Sequence, residues 1–373
     1  MDDELPILEV IRSALTRQGH TVTTAFSGEE AVAIIDSAPV DLIISDINMS
    51  GGGGIELLQA IRTRDVDLPV ILMTGAPDVE SAIRCVELGA HRYLRKPFGL
   101  TELKNAVAAG LRNGRQARDA RLVLAEHEAE VAVAQVINAE LDRALASASM
   151  AYQPIVDRPR RELLCYEALL RTREPTFPHP GAVFAAAERL GRVADVGRWV
   201  RNRVASEMSG NPSGCVFVNV HPAELQDEHL YDPEAPLSRF APQVVLELTE
   251  RLALSAIKDI RVRIGRLRRL GFRIAIDDLG EGYAGLSSLA IVEPEVIKLD
   301  MSLVRDVTTS VAAPRLIKSM VQYASDAGAQ LVAEGVETPV ELQALEVLGC
   351  RVFQGYLFGR PTYPFGQPSW SAA

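Results

Sequence analysis

Eight short, mainly apolar runs in the second part of the sequence constrain the fold of this 373-residue chain more than any other feature. Helix-like stretches separate most consecutive runs, which predicts strands joined by helical crossovers. The runs span residues 151–155, 163–168, 216–220, 244–248, 273–277, 296–299, 330–333 and 351–354. Eight such strands over roughly 210 residues predict a (β/α)8 TIM-barrel-like domain, at the small end of the usual size for that fold.

Nearly every one of these runs has a polar side chain at or close to its carboxyl end. Catalytic groups of such barrels lie where the strands end and the βα-loops begin. One carboxylate there could cap a helix or make a turn, but a converging ring of carboxylates requires cations between them. Oxygen ligands without His or Cys select Mg²⁺ or Mn²⁺ over Zn²⁺. The residues are Glu167, Asn219, Glu247, Asp277 with Asp278, Lys298 with Asp300, Glu334 and Gln354.

A second alternation of strands and helices occupies residues 1 to about 112. It predicts a parallel sheet covered by helices on both faces. The predicted strands are 21–25, 41–45, 69–73 and 92–94, and the predicted helices are 28–37, 54–64, 79–88 and 100–112. Asp46, Thr74 and Lys96 follow three successive strands, so they should form a compact anion site at one edge of the sheet.

Residues 112–146 contain no strand signal and no proline, which predicts one long helix between the two domains. Leu124, Val131, Asn138 and Leu145 fall at seven-residue spacing. That spacing indicates a coiled-coil seam, in which a single Asn can fix register. A helix that packs on its neighbouring domains explains the pattern equally well.

Composition excludes several classes of protein. The formal net charge of −10 argues against binding along the phosphate backbone of a nucleic acid. No apolar run approaches the length of a membrane span and no signal-peptide pattern opens the sequence, so we expect a cytoplasmic protein. The cysteines form no CxxC pair, and we expect all four to be core thiols in a reducing compartment: Cys85, Cys165, Cys215 and Cys350.

The segment Tyr166-Glu-Ala-Leu-Leu-Arg171 resembles the signature of the EAL-domain phosphodiesterases of cyclic di-GMP. The resemblance continues in the family's order across residues 150–363. It includes Tyr152-Gln-Pro-Ile155, Phe217-Val-Asn-Val220, Glu247-Leu-Thr-Glu250, Asp277-Asp-Leu-Gly280, Lys298-Leu-Asp300, Glu334-Gly-Val-Glu337 and Gln354-Gly-Tyr-Leu-Phe-Gly-Arg-Pro361. It implies hydrolysis of cyclic di-GMP to linear pGpG by two Mg²⁺ or Mn²⁺ ions.

The same resemblance implies a role for each strand-end residue. The first metal would be held by Glu167, Asn219, Glu247 and Asp277, and the second by Asp277, Asp278 and Glu334. Lys298 would orient or activate the attacking water, and Glu334 is the family's usual candidate for the general base. Substrate would be contacted by Gln153, Arg171, Asp300, Glu337 and Gln354, and Glu250 would control the loop 278–288.

The amino-terminal region resembles the receiver domain of bacterial response regulators. The resemblance implies a flavodoxin-like fold in which Asp46 accepts a phosphoryl group from a histidine kinase. Asp2 and Asp3 would bind Mg²⁺, and Thr74 and Lys96 would contact the phosphoryl group. Tyr93 would be the aromatic residue that responds to the phosphorylation switch.

The first strand of that receiver fold is apparently truncated. In receivers a central strand precedes the acidic pair, whereas only Met1 precedes Asp2 here. In the strand order 2-1-3-4-5 this loss leaves two neighbours unpaired. Either the true start lies several residues upstream, which we expect, or the domain is damaged or completed by another segment.

We therefore predict a two-component response regulator with four parts: a receiver domain (1–112), a linker helix (113–147), an EAL phosphodiesterase domain (148–365) and a tail (366–373). Receiver phosphorylation would regulate cyclic di-GMP hydrolysis in a homodimer or higher homo-oligomer. The alternative is a catalytically silent module that binds cyclic di-GMP as a sensor. A DNA-binding regulator would need a basic output domain, which the sequence lacks.

Overall fold

The computed structural model describes residues 1–49, 53–211, 214–249, 257–279 and 285–370. The chain divides into two compact units, residues 1–132 and 133–373. Within the described ranges, no helix is both long enough and apolar enough to cross a membrane.

The amino-terminal unit is built on a parallel sheet of three strands in the order β1-β2-β3 within the described residues. Apolar side chains of α2 and α3 cover one face, and those of α1 and α5 cover the other. The strands are β1 (Ile43–Asp46), β2 (Val70–Thr74) and β3 (Arg92–Arg95). The helices are α1 (Leu5–Thr16), α2 (Gly28–Ser37), α3 (Gly54–Arg62), α4 (Val79–Glu87) and α5 (Leu100–Ser147).

The strand predicted at residues 21–25 is wrong. The segment forms no strand in the part of the chain described, although Ala25 is buried. A strand needs a neighbour to pair with, and no strand of the described residues pairs with this segment. The other three predicted strands are present, and α1 was not anticipated.

The predicted linker helix is continuous with the last helix of the amino-terminal unit, so α5 has no break near residue 112. Its last turns pack on the barrel unit, where Leu141 is fully buried and Asn138 accepts a hydrogen bond from Arg192 at 2.8 Å. Leu124 and Val131 are exposed. The carboxyl-terminal part of the heptad pattern therefore reflects packing within one chain.

The second unit contains a closed barrel of eight strands among the described residues. The strands are β4 (Ser149–Asp157), β5 (Glu162–Arg171), β6 (Val216–Val220), β7 (Val244–Thr249), β8 (Arg273–Leu279), β9 (Val296–Leu299), β10 (Gln330–Ala333) and β11 (Val352–Gln354). The helices are α6 (Pro180–Leu190), α7 (Val193–Glu207), α8 (Ile260–Leu270), α9 (Gly285–Val292), α10 (Met301–Arg305), α11 (Ala312–Ala327) and α12 (Pro339–Val347).

One strand of the barrel departs from the all-parallel arrangement. β4 runs antiparallel to both of its neighbours, β5 and β11. Only residues 158–161 separate β4 from β5. A parallel crossover needs about a dozen residues or more, whereas a short turn suffices for an antiparallel pair. The remaining strands are parallel, so their carboxyl ends meet at one mouth.

The expectation that all four cysteines are free thiols is wrong for two of them. Cys165 and Cys215 form a disulfide across the parallel pair β5–β6, with Cα atoms 4.7 Å apart. The register places Tyr166 opposite Val216, so the two preceding cysteines are also neighbours. Fifty residues separate them in sequence, which is why no local spacing indicated the pair. Cys85 and Cys350 are buried thiols, as expected.

Candidate active site

A buried lysine lies at the centre of the barrel mouth. Lys298, on β9, is 1% exposed and its Nζ lies 2.5 Å from Oε1 of Glu247. It also pairs with Glu334, and lies 3.4 Å from Oδ1 of Asp277 and 3.6 Å from Oε2 of Glu167. These four carboxylates come from the ends of four other strands. One cation cannot neutralise them, so the cluster retains excess negative charge.

The protonation of these acids follows from that imbalance. Burial raises the pKa of Glu247 well above its ordinary value, and the charge of Lys298 only partly offsets it. The pKa of Glu334 is also raised well above its ordinary value, and burial is again the main cause. The ammonium of Lys298 is held charged, because Asp277 and its neighbours raise its pKa despite burial. Protons thus supply part of the missing positive charge.

Glu167 is held differently. Burial by itself would raise its pKa, but Lys298 and two amide donors outweigh that effect and lower it. Asn219 donates to Oε1 at 2.9 Å, and Gln354 donates to Oε2 at 2.5 Å. Gln354 also donates to Gln153, whose own amide donates to the carbonyl of Gly359 at 3.1 Å. This chain of hydrogen bonds fixes the Glu167 carboxylate in its ionised form.

The acids of the mouth fit a hard divalent cation. Glu247, Asp277 and Glu334 each place one carboxylate oxygen within 4.8 Å of the others. Within the described part of the chain, Oε2 of Glu247 is buried without a hydrogen-bond partner, and Oδ1 of Asp277 has no hydrogen bond beyond its ion-pair contact with Lys298. Buried polar atoms normally have partners, so both oxygens are suited to a ligand. An all-oxygen set without His or Cys suits Mg²⁺, Mn²⁺ or Ca²⁺.

The strand that carries Asp277 has an irregular end. Ile276 pairs with Ile297, and the next pair joins Leu279 to Leu299, so β8 contains one extra residue. Such a bulge breaks the regular alternation of side chains and is common beside active sites. The extra residue falls at Asp277-Asp278, the adjacent acidic pair. The side chain of Asp278 lies outside the described residues.

Several predicted substrate contacts lie apart from this cluster. Glu337 is 42% exposed at its side chain and pairs with Arg305 at 3.1 Å. Asp300 is buried and caps α10 by accepting from the backbone N–H of Ser302. Arg171 is partly exposed at the end of β5, and one guanidinium nitrogen donates to the carbonyl of Leu170. Glu250 and residues 280–284 of the predicted loop lie outside the described residues.

Phe217 is a supporting residue that the sequence did not single out. Its ring is buried two positions before Asn219 on β6, and the ring centroid lies 6.0 Å from Nζ of Lys298. An aromatic face attracts a cation at this distance. The period of two along a strand was the available signal, because it places both side chains on the barrel's inner face.

The amino-terminal unit contains a second charged cluster at the strand ends. Nζ of Lys96 lies 2.5 Å from Oδ2 of Asp2 and 2.6 Å from Oδ2 of Asp46. Burial opposes its charge, but the two aspartates raise the pKa of Lys96 overall. Asp3 completes a carboxylate group with Asp2 and Asp46 that could hold a cation.

The two remaining predicted receiver residues are buried or nearly so. Thr74 is 1% exposed, and its hydroxyl accepts from the N–H of Ala76 at 3.2 Å. The hydroxyl of Tyr93 is buried without a hydrogen-bond partner among the described residues.

These features define a class of protein: an α/β unit with an aspartate–lysine cluster, followed by a closed barrel with a buried acidic mouth. Family models match both parts. The EAL domain model matches residues 138–361, and the response regulator receiver domain model matches residues 1–108. The chain therefore belongs to the EAL domain family, in the form that carries an amino-terminal receiver domain.

Individual relatives agree with this assignment. The cyclic di-GMP phosphodiesterase RocR of Pseudomonas aeruginosa is 31% identical over 91% of this chain and 89% of its own length. An uncharacterised protein of Azorhizobium caulinodans is 31% identical over 74% of this chain, which spans only 41% of that protein. The BlrP1 protein of Klebsiella pneumoniae, solved with manganese and cy-diGMP, is 32% identical, with a TM-score of 0.51. That match covers 58% of this chain and 56% of the other.

Proposed function

We propose that the protein is a cytoplasmic response regulator that hydrolyses cyclic di-GMP to linear pGpG with two divalent metal ions, Mg²⁺ or Mn²⁺. The observation that carries the proposal is the set of buried carboxylates around Lys298, which a single lysine cannot neutralise. RocR, which matches nearly the whole chain, is named a cyclic di-GMP phosphodiesterase.

The barrel residues and the bound metal ions would have separate roles in this reaction. Bound metal ions would polarise the phosphodiester and lower the pKa of an attacking water. Glu167, Asn219, Glu247, Asp277 and Glu334 supply oxygen ligands, and Asp278 is a further candidate. Gln354 and Gln153 hold Glu167 in place. Lys298 is close enough to the ligands to orient the water and to offset charge that develops on the phosphate.

Substrate would be held at the rim of the mouth. Arg171 lies at the end of β5, where its guanidinium can make paired hydrogen bonds to a phosphate. In the described residues Glu337 faces solvent and Asp300 caps a helix, so contact with substrate by either would require rearrangement. We therefore place phosphate recognition on Arg171 and on the metal ions that the carboxylates would hold.

The activity predicts metal-dependent turnover. Incubation of cyclic di-GMP with the full chain and Mn²⁺ or Mg²⁺ should yield linear pGpG, and excess EDTA should abolish the product. Chromatography of the nucleotides gives the result directly. Tight binding of cyclic di-GMP without product, in the presence of metal, would contradict hydrolysis and identify a sensor.

Phosphorylation of Asp46 is expected to change that turnover. The Lys96 ammonium pairs with Asp46, so a phosphoryl group there would alter the charge balance of the strand-end cluster. Treatment with a beryllofluoride phosphoryl mimic should change kcat several-fold, and Asp46→Asn should remove the response. Asp36→Asn, at an exposed carboxylate on α2, is the matched control. Equal turnover with and without the mimic would exclude this regulation.

A further inference from the structure

A disulfide lies one step below two of the proposed metal ligands. Cys165 and Cys215 face each other across the parallel strands β5 and β6. Two positions further along these strands come Glu167 and Phe217, which are also opposite each other. Because side chains alternate along a strand, all four point to the inner face of the barrel. The sulfur bridge therefore occupies the inner layer directly beneath the one that carries Glu167.

Two contacts connect this layer with the acidic mouth. Asn219, on β6, donates to Oε1 of Glu167, on β5, at 2.9 Å. Phe217 belongs to the same buried apolar cluster as both sulfurs, and its ring centroid lies 6.0 Å from Nζ of Lys298. A change in the spacing of β5 and β6 at the bridge is thus transmitted to groups that hold or neighbour the proposed metal ions.

The barrel has a sufficient core without this bridge. Disulfides are dense in small secreted domains that cannot bury enough apolar surface, whereas this unit buries apolar side chains from all eight strands. The proposed function places the protein in the cytoplasm, where a disulfide is usually transient and takes part in catalysis or redox sensing. Reactivity therefore explains the bridge better than a structural requirement does.

A cation lies against one of the two sulfurs. Nη2 of Arg273, the first residue of β8, donates to Sγ of Cys215 at 3.1 Å. A neighbouring arginine stabilises negative charge on sulfur, so Cys215 is the better nucleophile when the bridge is open and the better leaving group when it is cleaved. Arg273 is partly exposed, and Cys165 and Cys215 retain 7% and 8% of their surface exposed, so a small oxidant can reach them.

We propose that Cys165 and Cys215 form a reversible redox site, oxidised by peroxides and reduced by dithiols, whose state sets the affinity of the barrel mouth for divalent metal. The metal affinity rests on the proposed function, whereas the sulfur chemistry does not.

The sulfur chemistry balances with hydrogen peroxide as the oxidant. The Cys215 thiolate attacks one peroxide oxygen and becomes a sulfenic acid as the O–O bond breaks, and Cys165 then displaces the hydroxyl group from that sulfur. The two thiol protons and the peroxide leave as two water molecules, and two electrons pass from sulfur to oxygen. In the reverse direction a dithiol attacks Cys165, releases Cys215 as the thiolate, and returns two electrons and two protons as it becomes a disulfide.

The oxidised state should bind metal more tightly. Bonded sulfurs lie about 2 Å apart, whereas unbonded atoms in contact lie about 4 Å apart, so reduction forces the two side chains to separate. The bridge holds β5 and β6 at the spacing at which Asn219 and Glu167 are hydrogen-bonded. Ligands fixed in this way lose less freedom when they bind a metal ion.

Differential alkylation of the folded, full-length chain tests the sulfur chemistry. The chain is treated with hydrogen peroxide or dithiothreitol, quenched, unfolded and alkylated, and its peptides are read by mass spectrometry. Peroxide should join Cys165 to Cys215 and dithiothreitol should separate them, while the buried thiols Cys85 and Cys350 stay reduced. Arg273→Gln should slow the reduction several-fold, and Arg273→Lys should recover part of the rate. A pair that stays bonded or stays reduced under both treatments would overturn the proposal.

Mn²⁺ titration, followed by the electron paramagnetic resonance of the free ion, tests the coupling. Binding that Glu247→Gln removes belongs to the barrel, and it should be several-fold tighter in the oxidised than in the reduced chain. The double variant Cys165→Ala/Cys215→Ala should bind like the reduced chain and ignore peroxide. Cys350→Ala, which removes another buried thiol of the same unit, is the matched control and should keep the response.

The two assays separate the possible failures. Equal Mn²⁺ affinity in the oxidised and reduced chains would refute the coupling between the bridge and the metal ligands. If neither chain bound Mn²⁺ at the barrel, the proposed metal centre would be wrong, while alkylation would still decide whether the cysteine pair is a redox site.

Discussion

Glu247→Gln should lower the turnover of cyclic di-GMP on the order of 10³-fold at saturating Mn²⁺, because a metal ion contributes several kcal/mol of charge stabilisation to the transition state. Glu247 is fully buried, and its carboxylate is shared between Lys298 and the proposed metal site. Glutamine keeps the shape and one oxygen but loses the negative charge that a divalent ion requires.

The same substitution should leave the metal-free fold intact. Burial raises the pKa of Glu247, so the metal-free acid is already inclined to carry a proton, and glutamine resembles that neutral form. Urea midpoints of the two metal-free proteins should agree within experimental error. Mn²⁺ should raise the midpoint of the original chain but not that of the variant.

Glu346→Gln is the matched control for this experiment. Glu346 is a partly exposed glutamate on α12 that lies 3.9 Å from Arg158. Its replacement should change neither turnover nor the response to Mn²⁺. If Glu247→Gln retained full activity, the buried acids would not be the metal ligands, and the proposed centre would be wrong.

The sequence was most informative where side chains occupy strand ends. Parallel strands bring their carboxyl ends to one mouth, so the convergence of Glu167, Glu247, Asp277 and Lys298 follows from their positions alone. The protonation states of these side chains do not follow from their positions in the sequence. Burial raises the pKa of Glu247, whereas the charge of Lys298 and the amides of Gln354 and Asn219 lower that of Glu167 against burial, and only the folded barrel sets this balance.

Predictions failed where the structure of a residue depended on a neighbour that is distant in the sequence. Residues 21–25 have the composition of a strand but pair with no strand among the residues that the structure describes. Cys165 and Cys215 are joined by the register of two strands fifty residues apart, and no local motif encodes that register. The predicted substrate contact of Glu337 stays a prediction, because the structure shows only that Glu337 is exposed and pairs with Arg305.

Lys298→Met should destabilise the metal-free protein by about 3–5 kcal/mol at pH 8, because it removes a cation that pairs with four buried or nearly buried carboxylates. This loss of stability should become smaller as the pH falls towards 5. Without Lys298 the pKa values of the already raised Glu247 and Glu334 rise further. A carboxyl group whose pKa is raised on folding makes the folded protein less stable as the pH rises above the group's pKa in the unfolded chain, about 4.3. The loss of stability therefore appears in the neutral and alkaline range.

Divalent metal should separate the two roles of Lys298. Mn²⁺ should restore most of the lost stability at pH 8, because it supplies the missing positive charge, whereas turnover should stay far below that of the original chain if the ammonium also orients the attacking water. Urea midpoints at pH 5 and pH 8, with and without Mn²⁺, together with kcat, measure both. Lys318→Met, on the exposed face of α11, should change none of these quantities. A loss of stability independent of both pH and metal would mean that Lys298 contributes packing, not charge, to the barrel mouth.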